Sequence, residues 1–157
     1  MTHVKSDMAA GFERLDDALV EKLVSVARKF AWNAYVPYSS FPVGAAALTG
    51  DGSIIGGVNI ENASYGLTVC GERVAIFTAA ATGHRTLRAV AVSAPKAAGT
   101  TPCGACRQVM NEFKPLEGDL IVVLDSNEGA VQVPLRALLP EAFGPRDLGR
   151  VSDLGQD

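Results

Sequence analysis

"TVCGERVAIFTAAATGHRTLRAVAVSA", residues 68–94, decides the fold. The alanine-rich stretch from Cys70 to Thr82 has a helical pattern, and Gly83 ends it, because glycine takes the left-handed conformation that closes a helix. Leu87–Ala94 follows as a short apolar run bounded by turn residues, which reads as a buried strand. The same succession recurs downstream. "CGACRQVMNEFK" (103–114) is a short helix stopped by Pro115, and "DLIVVLD" (119–125) is a second buried strand.

Upstream, Leu15, Leu19, Leu23, Val26, Ala27 and Phe30 recur at helical spacing, so a helix is expected from Leu15 to Ala34. Asp16 and Asp17 sit in its first turn, where acids suit the helix dipole. "VPYSSFP" (36–42) is a loop broken by two prolines, and "VGAAALTGDGSIIGGVNI" (43–60) reads as a hairpin around Gly-Asp-Gly. "ENASYGLTV" (61–69) is a loop, "AVQVPL" (130–135) a short strand and "LLPEAFGP" (138–145) a turn of helix. The order α-β-β-α-β-α-β-β places helices on both faces of one sheet: an α/β protein, a three-layer α/β/α sandwich with a mixed five-stranded sheet. Residues 15–145 form its single domain, with a loosely ordered extension at 1–14 and a polar tail at 146–157.

At 157 residues the chain can bury a core without disulfide or metal staples. Its 48% apolar and 20% charged residues are globular proportions rather than disordered ones. A net charge of −3 argues against a nucleic-acid polymer as partner. No apolar run reaches the ~20 residues of a membrane span, and the N-terminus lacks the apolar core of a signal peptide. These features point to a cytoplasmic protein without a membrane partner. Three cysteines are an odd number for a disulfide framework, and in a reducing compartment clustered thiols are more often ligands or catalysts.

Cys103 and Cys106 in "TPCGACRQ" (101–108) have a C-x-x-C spacing that suits either a redox pair or half of a metal site. Cys70 and Cys103 each open a helix, where free N–H groups and the dipole favour thiolate. If the two helices start at the same sheet edge, three thiolates converge. Three protein ligands on zinc leave a fourth position for water, which is the catalytic arrangement. His3 and His84 are not placed to close it. Glu72, two residues after Cys70, is near enough to take and return the proton of a zinc-activated water. C-x-E followed about thirty residues later by P-C-x-x-C is the zinc-deaminase signature, with cysteine in place of its first histidine.

"VNIENASYGLTVCGERVAIFTAAATG" and "PCGACRQVMNEF", with "YSSFPVGAAAL" and "LLPEAFGP", closely resemble the small homotetrameric cytidine deaminases over about residues 15–145. The resemblance implies a cytidine deaminase-like fold and hydrolytic deamination of cytidine and deoxycytidine, in pyrimidine salvage. It implies one Zn2+ per subunit, held by Cys70, Cys103 and Cys106. Glu72 then matches the catalytic carboxylate that moves protons among the water, ring N3 and the leaving amine. The Gly71 N–H matches the donor to the pyrimidine carbonyl, Asn59 and Glu61 the residues on the ribose 3′-hydroxyl, and Phe41 the aromatic of the base pocket. Ala63, Tyr65 and Phe143 would come from neighbouring subunits of a homotetramer, with Phe143 stacked on the base. Arg73 and Gln108 resemble residues that hydrogen-bond the sulfurs, offsetting the −1 charge that three thiolates give a zinc site. Position 71 is usually alanine in the family, and glycine there implies a looser helix start.

Read without the resemblance, these residues have plainer roles. Asn59 and Glu61 can cap a turn, Arg73 can be a surface ion pair, and Phe41 and Phe143 can pack internally. Two functions of other classes stay open: a non-enzymatic zinc scaffold, which binds metal and releases no ammonia, and a thiol oxidoreductase using Cys103 and Cys106. Among enzymes, the alternatives are a deaminase of an unusual base such as blasticidin S, against which Phe41, Asn59 and Glu61 weigh, and a polynucleotide editor, against which the acidic charge weighs.

Overall fold

The computed structural model describes residues 12–149. The sequence reading of residues 1–11 and 150–157 lies outside them. Helix α1 spans Asp17–Ala31, strands β1 and β2 span Gly44–Thr49 and Ile54–Val58, and a single 3-10 turn covers Tyr65–Leu67. Helix α2 (Gly71–Ala81) leads to β3 (Leu87–Ser93), and α3 (Gly104–Glu112) leads to β4 (Ile121–Leu124). Strand β5 (Val131–Pro134), the short helix α4 (Leu135–Leu138) and a 3-10 turn at Pro145–Leu148 complete the described chain. The last turn lies partly in the stretch read as a polar tail.

The five strands form one sheet in the order β2-β1-β3-β4-β5, with β3–β4 parallel and the other pairs antiparallel. This is the expected mixed sheet, with helices on both faces. Side chains alternate between two buried clusters, as the period of two in a strand requires. Ala46, Leu48, Ala89, Ala91, Ile121 and Val123 pack with Leu23, Val24 and Ala27 of α1. Ala45, Ala47, Val90, Val92, Val122 and Leu124 pack with Ala75, Ile76 and Ala79 of α2 and with Cys106 and Met110 of α3.

Helix α1 begins two residues later than its apolar spacing suggests. The Asp16 carboxylate accepts from Leu19 N at 2.9 Å and caps the helix. Leu15 is held in an extended pairing instead: its N–H donates to Gln132 Oε1 (2.8 Å), and its carbonyl accepts from Gln132 Nε2 (3.0 Å). At the other end the helix stops at Ala31, because Tyr35 turns away to pair with the chain around Ile60.

The helix that opens at Cys70 rests directly on the sheet. A Cβ at Gly57 of β2 would lie 2.3 Å from the backbone nitrogen of Ala75 and 2.5 Å from the carbonyl oxygen of Gly71, so only glycine fits. Helices α2 and α3 each run back against the strand that follows them. Their N-termini therefore meet at the end of the sheet where β3 and β4 finish. No helix among the described residues is long and apolar enough to cross a membrane.

Candidate metal centre

Cys70 and Cys103 occupy equivalent places. Each is the N-cap of its helix with an extended backbone (φ −71°, ψ 153° and φ −67°, ψ 167°), and neither side chain makes a capping hydrogen bond. Cys106 lies in the first turn of α3 and is fully buried. The Sγ atoms of Cys70 and Cys103 are 3.9 Å apart, those of Cys103 and Cys106 are 3.5 Å apart, and all three lie within 4.8 Å of one another. A tetrahedral zinc with Zn–S near ~2.3 Å needs sulfurs about 3.8 Å apart, so the donor set fits that ion.

The charges around the sulfurs suit a cation. Hydrogen bonds from Cys106 and Arg73 hold the Cys70 thiol down to about 5 against the cost of its burial. The Cys106 thiol is pushed far upward by the Cys70 sulfur, by burial and by the charge of Glu72. Burial and the neighbouring negative charges thus oppose a second thiolate beside Cys70. A divalent cation among the sulfurs reverses that, because a coordinating thiol is deprotonated outright.

Glu72 is 4% exposed in the first turn of α2. Burial, and then the negative charge of Cys70, raise its carboxyl above the usual range, so it retains a proton more readily than a surface glutamate does. Arg73 donates from Nη2 to Cys70 Sγ (3.6 Å) and to the Thr68 carbonyl (3.3 Å). Its charge lies against the Cys70 sulfur. The Arg73 Nε is buried with no hydrogen-bond partner among the described residues. Gly71 is buried, and its helix start is closely seated: a Cβ there would lie 3.0 Å from the Val43 carbonyl oxygen.

Two of the residues that the resemblance assigns to the nucleoside, Asn59 and Glu61, hold the loop before β1. Asn59 accepts from Val43 N (2.8 Å) and donates to the Phe41 carbonyl (2.9 Å), which leaves one N–H and one lone pair of its amide free of these two bonds. Glu61 accepts from Tyr38 N (2.9 Å) and Ser39 N (3.2 Å), and the Ser39 and Tyr38 contacts hold its carboxyl below the usual range. Together the two side chains fasten the loop that carries the half-buried Phe41. Ala63 and Tyr65 are exposed, and the Tyr65 ring packs edge-on to Tyr38 at 5.9 Å. Phe143 is 61% exposed.

Gln108 departs from its expected place. It is exposed on α3, and Nε2 donates to the Phe143 carbonyl (2.9 Å) instead of to a sulfur. The cause is position: two residues past Cys106, its side chain points away from the buried cluster and toward the C-terminal segment. His84 lies 3.6 Å from Asp51 at the β1–β2 hairpin, and His3 is outside the described residues. Two residues carry roles that the sequence reading missed. Arg107 donates to the Pro102 carbonyl (2.7 Å), Thr101 Oγ1 (3.1 Å) and the Leu138 carbonyl (2.8 Å), bracing the approach to Cys103. Asn111, 4% exposed, donates to the Phe143 carbonyl (3.0 Å).

Comparison with known proteins gives consistent results. Residues 18–121 match the model of the cytidine and deoxycytidylate deaminase zinc-binding region. The chain is similar to the cytidine deaminase of Sporosarcina psychrophila, with 45% identity over 135 residues covering 85% of this chain and 98% of that one. It is 49% identical over 129 residues to the cytidine deaminase of Halalkalibacterium halodurans, covering 82% and 96% of the two chains. Among solved structures, the cytidine deaminase of Burkholderia pseudomallei superposes with a TM-score of 0.72 at 44% identity, covering 78% of this chain and 98% of that one. That of Mycobacterium tuberculosis superposes with a TM-score of 0.71 at 41% identity, covering 83% and 99%.

Proposed function

The chain belongs to the family of the cytidine and deoxycytidylate deaminase zinc-binding region, and from that premise we propose that it hydrolyses cytidine and deoxycytidine to uridine and deoxyuridine with release of ammonia. The observation that carries the reading is one buried carboxylate, Glu72, beside three converging sulfurs at two helix N-termini.

Cys70, Cys103 and Cys106 hold the zinc, one per chain. Zinc, when bound, lowers the pKa of a water to about 7 and so supplies a nucleophile at neutral pH. The remaining steps belong to the protein. Glu72 takes one proton from the water, whose oxygen bonds to C4 of the cytosine ring, and gives it to N3; it then takes the second proton from that oxygen and passes it to the 4-amino group, so that C4 keeps the oxygen as a carbonyl, the C4–N bond breaks and ammonia leaves. Burial and the negative charge of Cys70 keep that carboxyl basic enough for the exchange. The Gly71 N–H, at the start of α2, donates to the pyrimidine 2-carbonyl. Arg73 balances the negative charge of the sulfurs. Phe41 lines the base, and the free hydrogen-bonding capacity of Asn59 and Glu61 is directed to the ribose 3′-hydroxyl, which both nucleosides possess.

The chain works in pyrimidine salvage, in the cytoplasm, as a homotetramer. Support for assembly comes from large apolar side chains left open: Tyr65 is 76%, Leu67 66%, Phe77 48% and Phe143 61% exposed. Ala63, Tyr65 and Phe143 complete the site of a neighbouring subunit, with Phe143 against the base.

The test is ultraviolet absorbance of cytidine and deoxycytidine with the wild type beside Glu72→Ala, together with metal analysis. Deamination by the wild type alone, with about one zinc on both proteins, is the expected result. Zinc without turnover of either nucleoside overturns the reading in favour of a scaffold. A reversible Cys103–Cys106 disulfide with no need for Glu72 overturns it in favour of an oxidoreductase.

A further inference from the structure

Phe143 combines two properties that rarely coincide. The residue is 61% exposed, yet its carbonyl is held by two side chains. Two side-chain amides from α3 converge on its carbonyl, Gln108 Nε2 at 2.9 Å and Asn111 Nδ2 at 3.0 Å, so both lone pairs of that oxygen are engaged. Gln108 and Asn111 stand one turn apart on the same face of α3, so one rigid helix supplies both donors.

The segment around Phe143 is shaped to this clamp. A Cβ on Gly144 would lie 2.7 Å from Asn111 Nδ2, so the residue after Phe143 has to be glycine for the amide to reach the carbonyl. Glu141 takes a positive φ of 51°, unusual for a residue with a side chain, and so turns the chain back toward α3. Arg107, on the same helix, holds the Leu138 carbonyl at 2.8 Å. Three neighbouring side chains of α3 therefore fasten both ends of Leu138–Gly144. The helix that does so is the one whose first turn carries Cys103 and Cys106. A plain surface turn needs no such pair of donors, and a buried asparagine used in this way costs stability wherever its amide is left unpaired.

We propose that Gln108 and Asn111 are positioning residues that set the direction of the Phe143 ring, fixing its backbone to α3 so that the ring projects to the pyrimidine base in the neighbouring subunit's site. The inference rests on the reading of Phe143 as the base-stacking residue. Losing the clamp frees the ring and weakens nucleoside binding, and it leaves the sulfurs and Glu72 untouched. The cost falls on KM and not on kcat.

The experiment is a double-mutant cycle in the full chain with zinc bound. Gln108→Met and Asn111→Leu keep the side-chain size and remove both donors. They are combined with each other and with Phe143→Ala, and KM, kcat, zinc content and melting temperature are measured. The expected result is that the double variant raises KM about tenfold with kcat within about twofold and zinc retained, as the loss of two hydrogen bonds implies. In the Phe143→Ala background the same pair should change KM by less than about twofold, because the ring through which they act is gone. Equal KM effects in both backgrounds overturn the clamp, and so does a fall in kcat with KM unchanged. Gln108→Met alone, at an exposed position, provides the same comparison if the double variant folds poorly. If Phe143→Ala leaves KM unchanged, the stacking reading itself fails. If Phe143→Ala raises KM and the clamp variants do not, only the clamp fails.

Discussion

Three helices of this protein start in three similar ways, and one difference separates them. At α1 the N-cap is Asp16, whose carboxylate accepts from Leu19 N. At α2 and α3 the N-caps are Cys70 and Cys103, which have the same extended backbone and make no capping bond. A side-chain cap contributes about 1 kcal/mol. Helices α2 and α3 go without it, and their sulfurs face each other at 3.9 Å instead. At α1, which carries none of the three cysteines, the chain uses an ordinary capping residue. Where it has to hold an ion, it places thiols in the same geometry and the helix termini stay electropositive beneath them.

Exchanging the roles breaks the comparison most severely. Cys70→Ser or Cys103→Ser installs a preferred capping residue and removes a sulfur. Zinc content measured by atomic absorption should fall from about one per chain to near zero, and activity by about a thousandfold or more. The melting temperature of the metal-free variant should equal or exceed that of the metal-free wild type. A serine variant that keeps its zinc would end the argument. Next in size is Glu72→Gln, which leaves the sulfurs in place. Turnover should drop by about a hundred- to ten-thousandfold with metal content unchanged, since only the carboxylate proposed to carry the protons is lost.

The converse case is Asp16→Ala, at the conventional cap. It should cost about 1 kcal/mol, a few degrees in melting temperature, and leave zinc and kcat alone. The smallest effect concerns an ion pair at the far end of α1. Arg28 binds both carboxylate oxygens of Asp125 at 2.6 and 2.8 Å, and Ser93 donates to the same carboxylate at 2.7 Å. These contacts hold the Asp125 carboxyl below its usual range. The stability they add is complete above the ordinary carboxylate pKa and is lost as pH falls through the depressed one. Asp125→Asn should therefore be less stable than wild type near neutrality, by about 1 kcal/mol or less given the exposure of Arg28. The difference should close in denaturant titrations run at progressively lower pH.

Most of the architecture was legible because its signals are local. The apolar runs at 87–94 and 119–125 contain the two parallel strands, and the segments at 70–82 and 103–114 contain the two helices that carry the site. The cysteines and Glu72 were legible for the same reason: spacing within one helical turn fixes which side chains share a helix start. Contacts between distant parts of the chain had no such signal. Gln108 and Phe143 are separated by 35 residues and Arg107 and Leu138 by 31, and nothing near either donor announces which carbonyl it will meet. Gln132 is similar: its amide pairs with Leu15 across 117 residues and moves the start of α1, which periodicity placed at Leu15. Asn59 was read as a ligand residue from its motif. That two of its bonds fasten the loop of Phe41 emerges only once the hairpin is folded.

The glycine at position 57 has a consequence for motion. With no side chain between them, the main chain of β2 and the first turn of α2 are in direct contact, so that turn cannot rock on a cushion of rotamers. Any displacement of Glu72 relative to the sheet requires strand and helix to separate together. The Val74 amide, which bonds the Cys70 carbonyl at 3.1 Å and closes that turn, should therefore exchange with deuterated solvent as slowly as the amides of β1 and β3, on the timescale of whole-molecule opening rather than of fraying ends.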